Sequence, residues 1–376
     1  MWVVLGVGAV AVVVTGWLPS SVAYDVAVTR GAPVLGFLVA ITVLSELADA
    51  AGVFDTAASL CARAARGSTW RLYLLVAALA TATTVGMSLD TTAVLLTPVV
   101  LTIADSLGLA MLPFALLVVW LANTASLLLP VSNLTNLLAL QQAQLPTLSF
   151  AARMALPELA AVVVTVAYLG WRFRRDLTGH YQLPRVAAIG DRWTFWVTAA
   201  SCLALAPAVI AGVTPWVAAA PAAFAAVVVF GARDRRGLGW RLVPWRIVIL
   251  TEGLFLVVSA VARHGGSHLL GQLAGESSWR TTAVAGVASN LVNNLPAYLA
   301  IEPVVPHGHP TRLLAALVGT NAGPLILLWG SLATLLWRER CKARRVQISA
   351  RTFAATGLVG VPLVLAASWV ALTITA

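Results

Sequence analysis

Apolar runs long enough to cross a bilayer recur along this whole chain, and hydrocarbon allows a chain few ways to fold. Such runs lie near residues 2–18, 32–53, 110–130, 150–171, 193–211, 215–231, 245–262 and 351–374, each of a length suited to about 30 Å of hydrocarbon. They read as membrane-spanning helices. A composition of 60% hydrophobic and 10% charged residues, with mean hydropathy +0.90, excludes a soluble globular domain of this length. The fold class that follows is an all-α polytopic membrane protein. The first run, Trp2 to Leu18, has no basic segment before it and is expected to stay as a span rather than be cleaved as a signal peptide.

All but one of the 24 basic residues are arginine, and most fall in clusters at 63–71, 172–192, 233–246 and 338–345. These clusters lack the aromatic interleaving of a nucleic-acid surface, so they report topology, and no nucleic acid is expected as a partner. The positive-inside rule assigns all four to the cytoplasm. They agree if two polar-interrupted runs, 70–107 and 279–302, are re-entrant hairpins that enter and leave on one side. The N-terminus is then cytoplasmic and the C-terminus outside, with about nine spans and two hairpins. Cys61, Cys202 and Cys341 lie far apart, supporting neither a disulfide nor a thiolate metal site, and no cofactor is expected.

An internal repeat organises the chain. "LANTASLLLPVSNLTNLL" (121–138) resembles "GTNAGPLILLWGSLATLL" (319–336), about 199 residues further on. Upstream of each lies an interrupted hairpin, "MSLDTTAVLLTP" (87–98) and "ASNLVNNLPAYL" (288–299). The domains expected are a first transmembrane repeat, 1–171, a basic cytoplasmic linker, 172–192, and a second repeat, 193–376. In this topology the hairpins open from opposite sides. The repeats are therefore expected to be inverted, an architecture that builds a substrate site at mid-membrane from two hairpins and two broken helices.

A helix broken within a membrane leaves backbone groups that only protein or a water-filled cavity can satisfy. Four breaks are expected here, around Asp90, around Asn123 and "SNLT", at Asn290, Asn293 and Asn294, and around Asn321. Their half-helix ends would aim at one central space. A single asparagine is as well explained by hydrogen bonding between helices; four clusters at repeat-related positions point to a ligand site. A carboxylate at bilayer depth carries a penalty of about 2.5–3.5 kcal/mol, which favours its neutral form and makes Asp90 the candidate proton carrier. Glu252 is a second candidate for proton coupling. Glu46 and Asp49 read as interfacial charges, and Glu158, just after Pro157, is expected to pair with Arg153.

Several of these segments carry a family resemblance. "VGMSLDTTAVLLTPVVLTIA", "LANTASLLLPVSNLTNLL", "VPWRIVILTEGLFLVV", "ASNLVNNLPAYL" and "GTNAGPLILLWGSLATLLW" together resemble the arsenite efflux permeases. That family belongs to the ion-transporter group sharing a citrate-transporter-like domain with divalent anion/sodium symporters. The resemblance implies export of trivalent arsenic or antimony across the cell membrane, as the neutral hydroxide and in exchange for protons. The expected partners are this small inorganic solute, protons and membrane lipid, with a cytosolic ATPase subunit in some members and a homodimeric assembly. Carried over by matched motif, the binding site comprises Thr91 and Thr92 beside Asp90, then Asn123, Ser132, Asn133, Thr135 and Asn136 in the first broken span. The second half supplies Asn290, Asn293, Asn294, Thr320, Asn321, Ser331 and Thr334. Where typical permeases carry Asn-Asp-Gly at the first hairpin tip, this chain has Leu89-Asp90-Thr91.

Two alternatives keep the architecture and change the cargo. A sodium/proton antiporter would use Asp90 and amide oxygens as hard ligands. A carboxylate symporter would have to bind its anion beside Asp90, which is repulsive. An enzyme is not expected, because the chain carries no HExxH, GxSxG or Walker lysine motif.

Overall fold

The computed structural model describes residues 2–183, 189–233, 238–306 and 308–375. Residues 184–188 of the basic linker and 234–237 of the third basic cluster therefore lie outside the described residues. The described chain is helical, with no named strand, and seven of its helices are long and apolar enough to cross a membrane.

In chain order the first half comprises α1 (Trp2–Val14), α2 (Ser20–Ala50, with a π-helical stretch at Asp25–Gly31), a short amphipathic α3 (Val53–Ala64), α4 (Thr69–Gly86) and α5 (Leu89–Ser106). It continues with α6 (Met111–Thr124), α7 (Leu134–Ala143) and α8 (Thr147–Arg172). The second half comprises α9 (Arg192–Ile210), α10 (Pro215–Arg233), α11 (Trp245–Val261) and a short α12 (Ser267–Ala274). Then come α13 (Ser278–Val292), α14 (Asn294–Ile301), α15 (Pro310–Ala322), α16 (Leu332–Ala343) and α17 (Ala350–Thr375). One order occurs twice: long span, short helix, hairpin, broken helix, final span. It runs α2 to α8 and again α11 to α17.

The polar interruptions bend the chain where the sequence places them. Between α4 and α5 the backbone breaks at Met87 and Ser88, and the Ser88 hydroxyl caps the new helix by accepting from Thr91 N at 3.1 Å. Between α13 and α14 the break is Asn293, with φ +87° and ψ 153°. In both places the second arm packs back on the first, making a hairpin.

The two broken helices run through the middle of the molecule. Every residue from Pro113 to Thr124 in α6, and from Leu313 to Ala322 in α15, is buried; helices apolar on all sides belong in such a core. Gly319 and Gly323 let α15 close on α13. A Cβ at Gly319 would lie 2.5 Å from Ala285 Cβ and 3.0 Å from Gly286 N, and would also meet Thr282 O. Such small-residue contacts substitute for the hydrophobic drive that lipid removes. Around this core α8 packs on α17, while α1 packs on α11 and α2 on α10 as an outer group. The start of the linker returns to α3 and the turn after it, with Tyr181 N donating to Gly67 O at 2.8 Å and the Tyr181 hydroxyl to Ala62 O at 2.7 Å. Asp191 caps α9 by accepting from the Thr194 hydroxyl and amide, which hold its carboxyl below the usual range.

Candidate functional site

Residues 125–133 and 323–331 are the irregular stretches that separate the halves of the broken helices, and buried side chains satisfy their backbone. Glu158 Oε2 accepts from Leu127 N at 2.9 Å and Leu128 N at 2.6 Å. The expected pairing of Glu158 with Arg153 is therefore corrected: bare amides of a broken helix, buried with it, hold the carboxylate instead. In the second half Asn290 Oδ1 accepts from Ile326 N and Leu327 N, both at 3.0 Å. Asn290 Nδ2 donates to Gly286 O and Gly323 O. The same pair of amides, 199 residues apart in the two halves, is thus held by an acid in one and an amide in the other.

Between the two breaks Asn321 acts as a clasp. Its Nδ2 donates to Asn136 Oδ1 at 2.8 Å and to Ser126 O at 3.2 Å, and its Oδ1 accepts from the Thr135 hydroxyl at 2.8 Å. Asn136 Nδ2 donates to Ser126 O and Leu129 O.

Beside this clasp lies a small chamber of about 40 Å³ where the hairpin tips meet. It is lined by the N-terminal residues of four helices, Leu89 and Asp90, Asn133 and Leu134, Asn294 and Leu295, and Leu332 and Ala333, with Asn293, Leu250, Thr251 and Leu254 completing the wall. Each N-terminus contributes positive partial charge. Three polar atoms of these lining residues are buried without a hydrogen-bond partner: Asp90 Oδ1, Asn133 Nδ2 and Thr251 Oγ1. On the other side of the first hairpin tip a cavity of about 700 Å³ opens, which shares Leu89, Asp90, Asn133 and Leu134 with the chamber. Its wall carries a hydroxyl chain, Ser45 Oγ to Thr91 Oγ1 at 2.8 Å and Thr91 Oγ1 to Ser88 Oγ at 2.9 Å. Glu46, Trp240 and Arg340 also line it.

The residues singled out from sequence divide into two groups. Asp90, Asn133, Asn293 and Asn294 line the chamber, and Thr91 lines the larger cavity. Thr92, Asn123, Ser132, Thr135, Asn136, Asn290, Thr320, Asn321, Ser331 and Thr334 line neither; all are buried and bonded within the protein. Thr92 meets the Thr84 hydroxyl at 2.8 Å, Ser132 donates to Val85 O, Thr320 to Ala316 O, and Ser331 caps α16 through Thr334 N. Asn123 Nδ2 donates to Val119 O, while its Oδ1 has no partner.

Glu252 is also apart from the chamber, with both carboxylate oxygens buried and unpartnered against Gly31. Nearby in the chain from Gly31, Arg30 grips Glu302 at 2.7 and 2.8 Å, tying α2 to the end of the second hairpin. Thr251, Ser45 and Ser88 were not singled out from sequence. Their signal is weak, because an isolated hydroxyl in an apolar run ordinarily bonds its own helix.

Two hairpins and two broken helices whose tips meet at a small chamber, within a bundle of apolar spans, define a membrane transporter. Family comparison agrees: residues 1–334 match the model of the CitMHS family, described as citrate transporter. The chain belongs to this family. An arsenical pump membrane protein of Escherichia coli is 30% identical over 353 residues, covering 85% of this chain and 81% of that protein. A putative arsenical pump membrane protein of Bacillus subtilis is 24% identical over 375 residues, covering 87% and 84%. Among solved structures the YdaH transporter of Alcanivorax borkumensis shares the fold, with TM-score 0.58 at 16% identity over 95% of this chain and 89% of that one.

Proposed function

We propose that the chain exports trivalent arsenic or antimony as the neutral trihydroxide in exchange for protons, with Asp90 as proton carrier. The observation that carries the reading is the chamber itself. Four helix N-termini favour negative charge at its wall, and Asp90, once its proton is released, supplies that charge from the protein, which leaves room for a neutral ligand. Hydroxyl and amide groups are the donors and acceptors that a polyhydroxylated solute needs. Three relatives of the arsenical pump kind, two from Escherichia coli and one from Bacillus subtilis, support the same cargo. A proton crossing 100 mV is worth about 2.3 kcal/mol, enough for a roughly 50-fold gradient of a neutral solute.

The reading includes inverted repeats and alternating access between the hairpin core and the outer spans. Glu252 serves as a second proton-coupling group. Arg340 and Trp240 at the larger cavity lie in arginine-rich segments, so the positive-inside rule makes this an inward-open state with a cytoplasmic N-terminus and an external C-terminus. A homodimer and an accessory cytosolic ATPase subunit complete the reading. Asp90 Oδ1 and Thr251 Oγ1, buried oxygens beside the chamber, also suit a dehydrated monovalent cation, so sodium/proton antiport is the second reading.

Arsenite accumulation in everted vesicles, with an imposed proton gradient and with or without Na⁺, tests both. Uptake that collapses with an uncoupler, ignores Na⁺ and is lost in Asp90→Asn is expected. Sodium exchange without arsenite movement would overturn the first reading in favour of the second.

A further inference from the structure

Thr251 departs from what its neighbours in type do. A threonine inside a membrane helix ordinarily donates to the carbonyl one turn back, as Thr84, Thr124 and Thr320 do here to Ala80, Trp120 and Ala316. Thr251 is fully buried in α11 at the chamber wall, yet its hydroxyl has no partner. An orphaned buried hydroxyl is destabilising, and a ligand that bonds it returns that loss.

We infer that Thr251 is a substrate-binding residue, supplying from a spanning helix outside both hairpins the third polar contact to a trihydroxylated solute in the chamber. The inference rests on the arsenite reading above. A volume of about 40 Å³ gives room for a solute of a few heavy atoms. The three orphaned atoms are complementary to that solute: Asp90 Oδ1 accepts from one hydroxyl, Asn133 Nδ2 donates to a second, and the Thr251 hydroxyl does either with the third. Leu250 and Leu254 close the wall around it without offering a competing group.

The test is the concentration dependence of proton-driven arsenite uptake in everted vesicles for the wild type, Thr251→Val and Thr251→Ser, each checked by size-exclusion profile. Valine keeps the shape and removes the hydroxyl. Losing one hydrogen bond predicts a KM raised about 3- to 10-fold in Thr251→Val, a maximal rate within about twofold, and near wild-type behaviour in Thr251→Ser. A second arm uses Thr251→Cys. There the thiol would condense with one As–OH, forming S–As and releasing water, so purified variant should retain arsenite through gel filtration above the background of Cys61, Cys202 and Cys341. An unchanged KM in Thr251→Val, or Thr251→Cys retaining no more than wild type, would overturn the assignment while leaving the transport reading intact. A wild type that moves no arsenite would overturn both. Ordered water as the chamber's sole occupant predicts the unchanged KM.

Discussion

Asn321 and Asn136 join the two broken helices at their breaks, Asn321 Nδ2 donating to Asn136 Oδ1 at 2.8 Å with both residues fully buried. Asn136 also donates to the Ser126 and Leu129 carbonyls, and Asn321 to that of Ser126. Replacing Asn321 by Leu strands several buried groups at once, each costing about 1–3 kcal/mol, so folded yield should fall sharply. The paired contact alone is smaller. A double-mutant cycle of Asn136→Ala and Asn321→Ala on the melting temperature of detergent-purified protein should give coupling of about 0.6–1.7 kcal/mol, and additivity would refute the clasp.

Glu158 separates charge from geometry. Its Oε2 accepts from Leu127 N and Leu128 N, a task that a glutamine carbonyl can perform and an alanine cannot. Glu158→Gln is expected to keep monodisperse protein and transport. Glu158→Ala leaves two buried amides bare, at about 1–3 kcal/mol each, and should aggregate on extraction. Equal loss in both variants, measured by fluorescence-detected size exclusion, would mean that the charge itself is required.

This acid also marks how far the sequence could be read. Six long spans, both hairpins and both broken helices were legible, because hydrophobic length and its polar interruption are local properties of the chain; the first run, 2–18, instead forms the 13-residue α1, shorter than a span. Which interrupting side chain faces a cavity and which repairs the backbone depends on rotation about helices packed from distant segments. Asn290 and Asn293 stand three residues apart, yet the first holds Ile326 N and Leu327 N while the second reaches the chamber. Asp90 was legible as an isolated acid in an apolar setting; Thr251 was not, since nothing local distinguishes its hydroxyl from those of Thr84 or Thr124, which bond their own helices.

The Arg30–Glu302 pair bridges the outer spans and the second hairpin, with the glutamate side chain 3% and the arginine 35% exposed. Partial exposure places its worth between surface and fully buried pairs, so Glu302→Gln should destabilise by about 1–3 kcal/mol. The exchanged pair, Arg30→Glu with Glu302→Arg, should recover part of that loss. A thermal melt in which the double variant is no better than the worse single one would show that orientation, rather than attraction, matters at this contact.

Close approach at Gly319 allows no side chain, since a Cβ would fall 2.5 Å from Ala285 Cβ. Gly319→Val should separate α13 from α15 and abolish folded protein. Gly286→Ala on the facing helix meets Leu365 Cδ1 at 3.0 Å and Gly319 O at 3.6 Å, a flexible side-chain end and an ordinary contact, and should cost little. Parallel expression and melting of the two variants checks this order.

Asn293 occupies a backbone region, φ +87° with ψ 153°, that is essentially reserved for glycine and costs other residues about 1–3 kcal/mol. Two contacts hold it there: its Nδ2 donates to Trp329 O at 3.0 Å, and the next amide, Asn294 N, donates to Gly330 O at 2.8 Å. Asn293→Gly relieves the strain and forfeits only the side-chain bond, so its stability should stay near that of the wild type. Asn293→Ala forfeits the bond and keeps the strain. The glycine variant should therefore melt higher than the alanine variant by the equivalent of about 1 kcal/mol, and an alanine variant at least as stable would show that the hairpin tip is not strained.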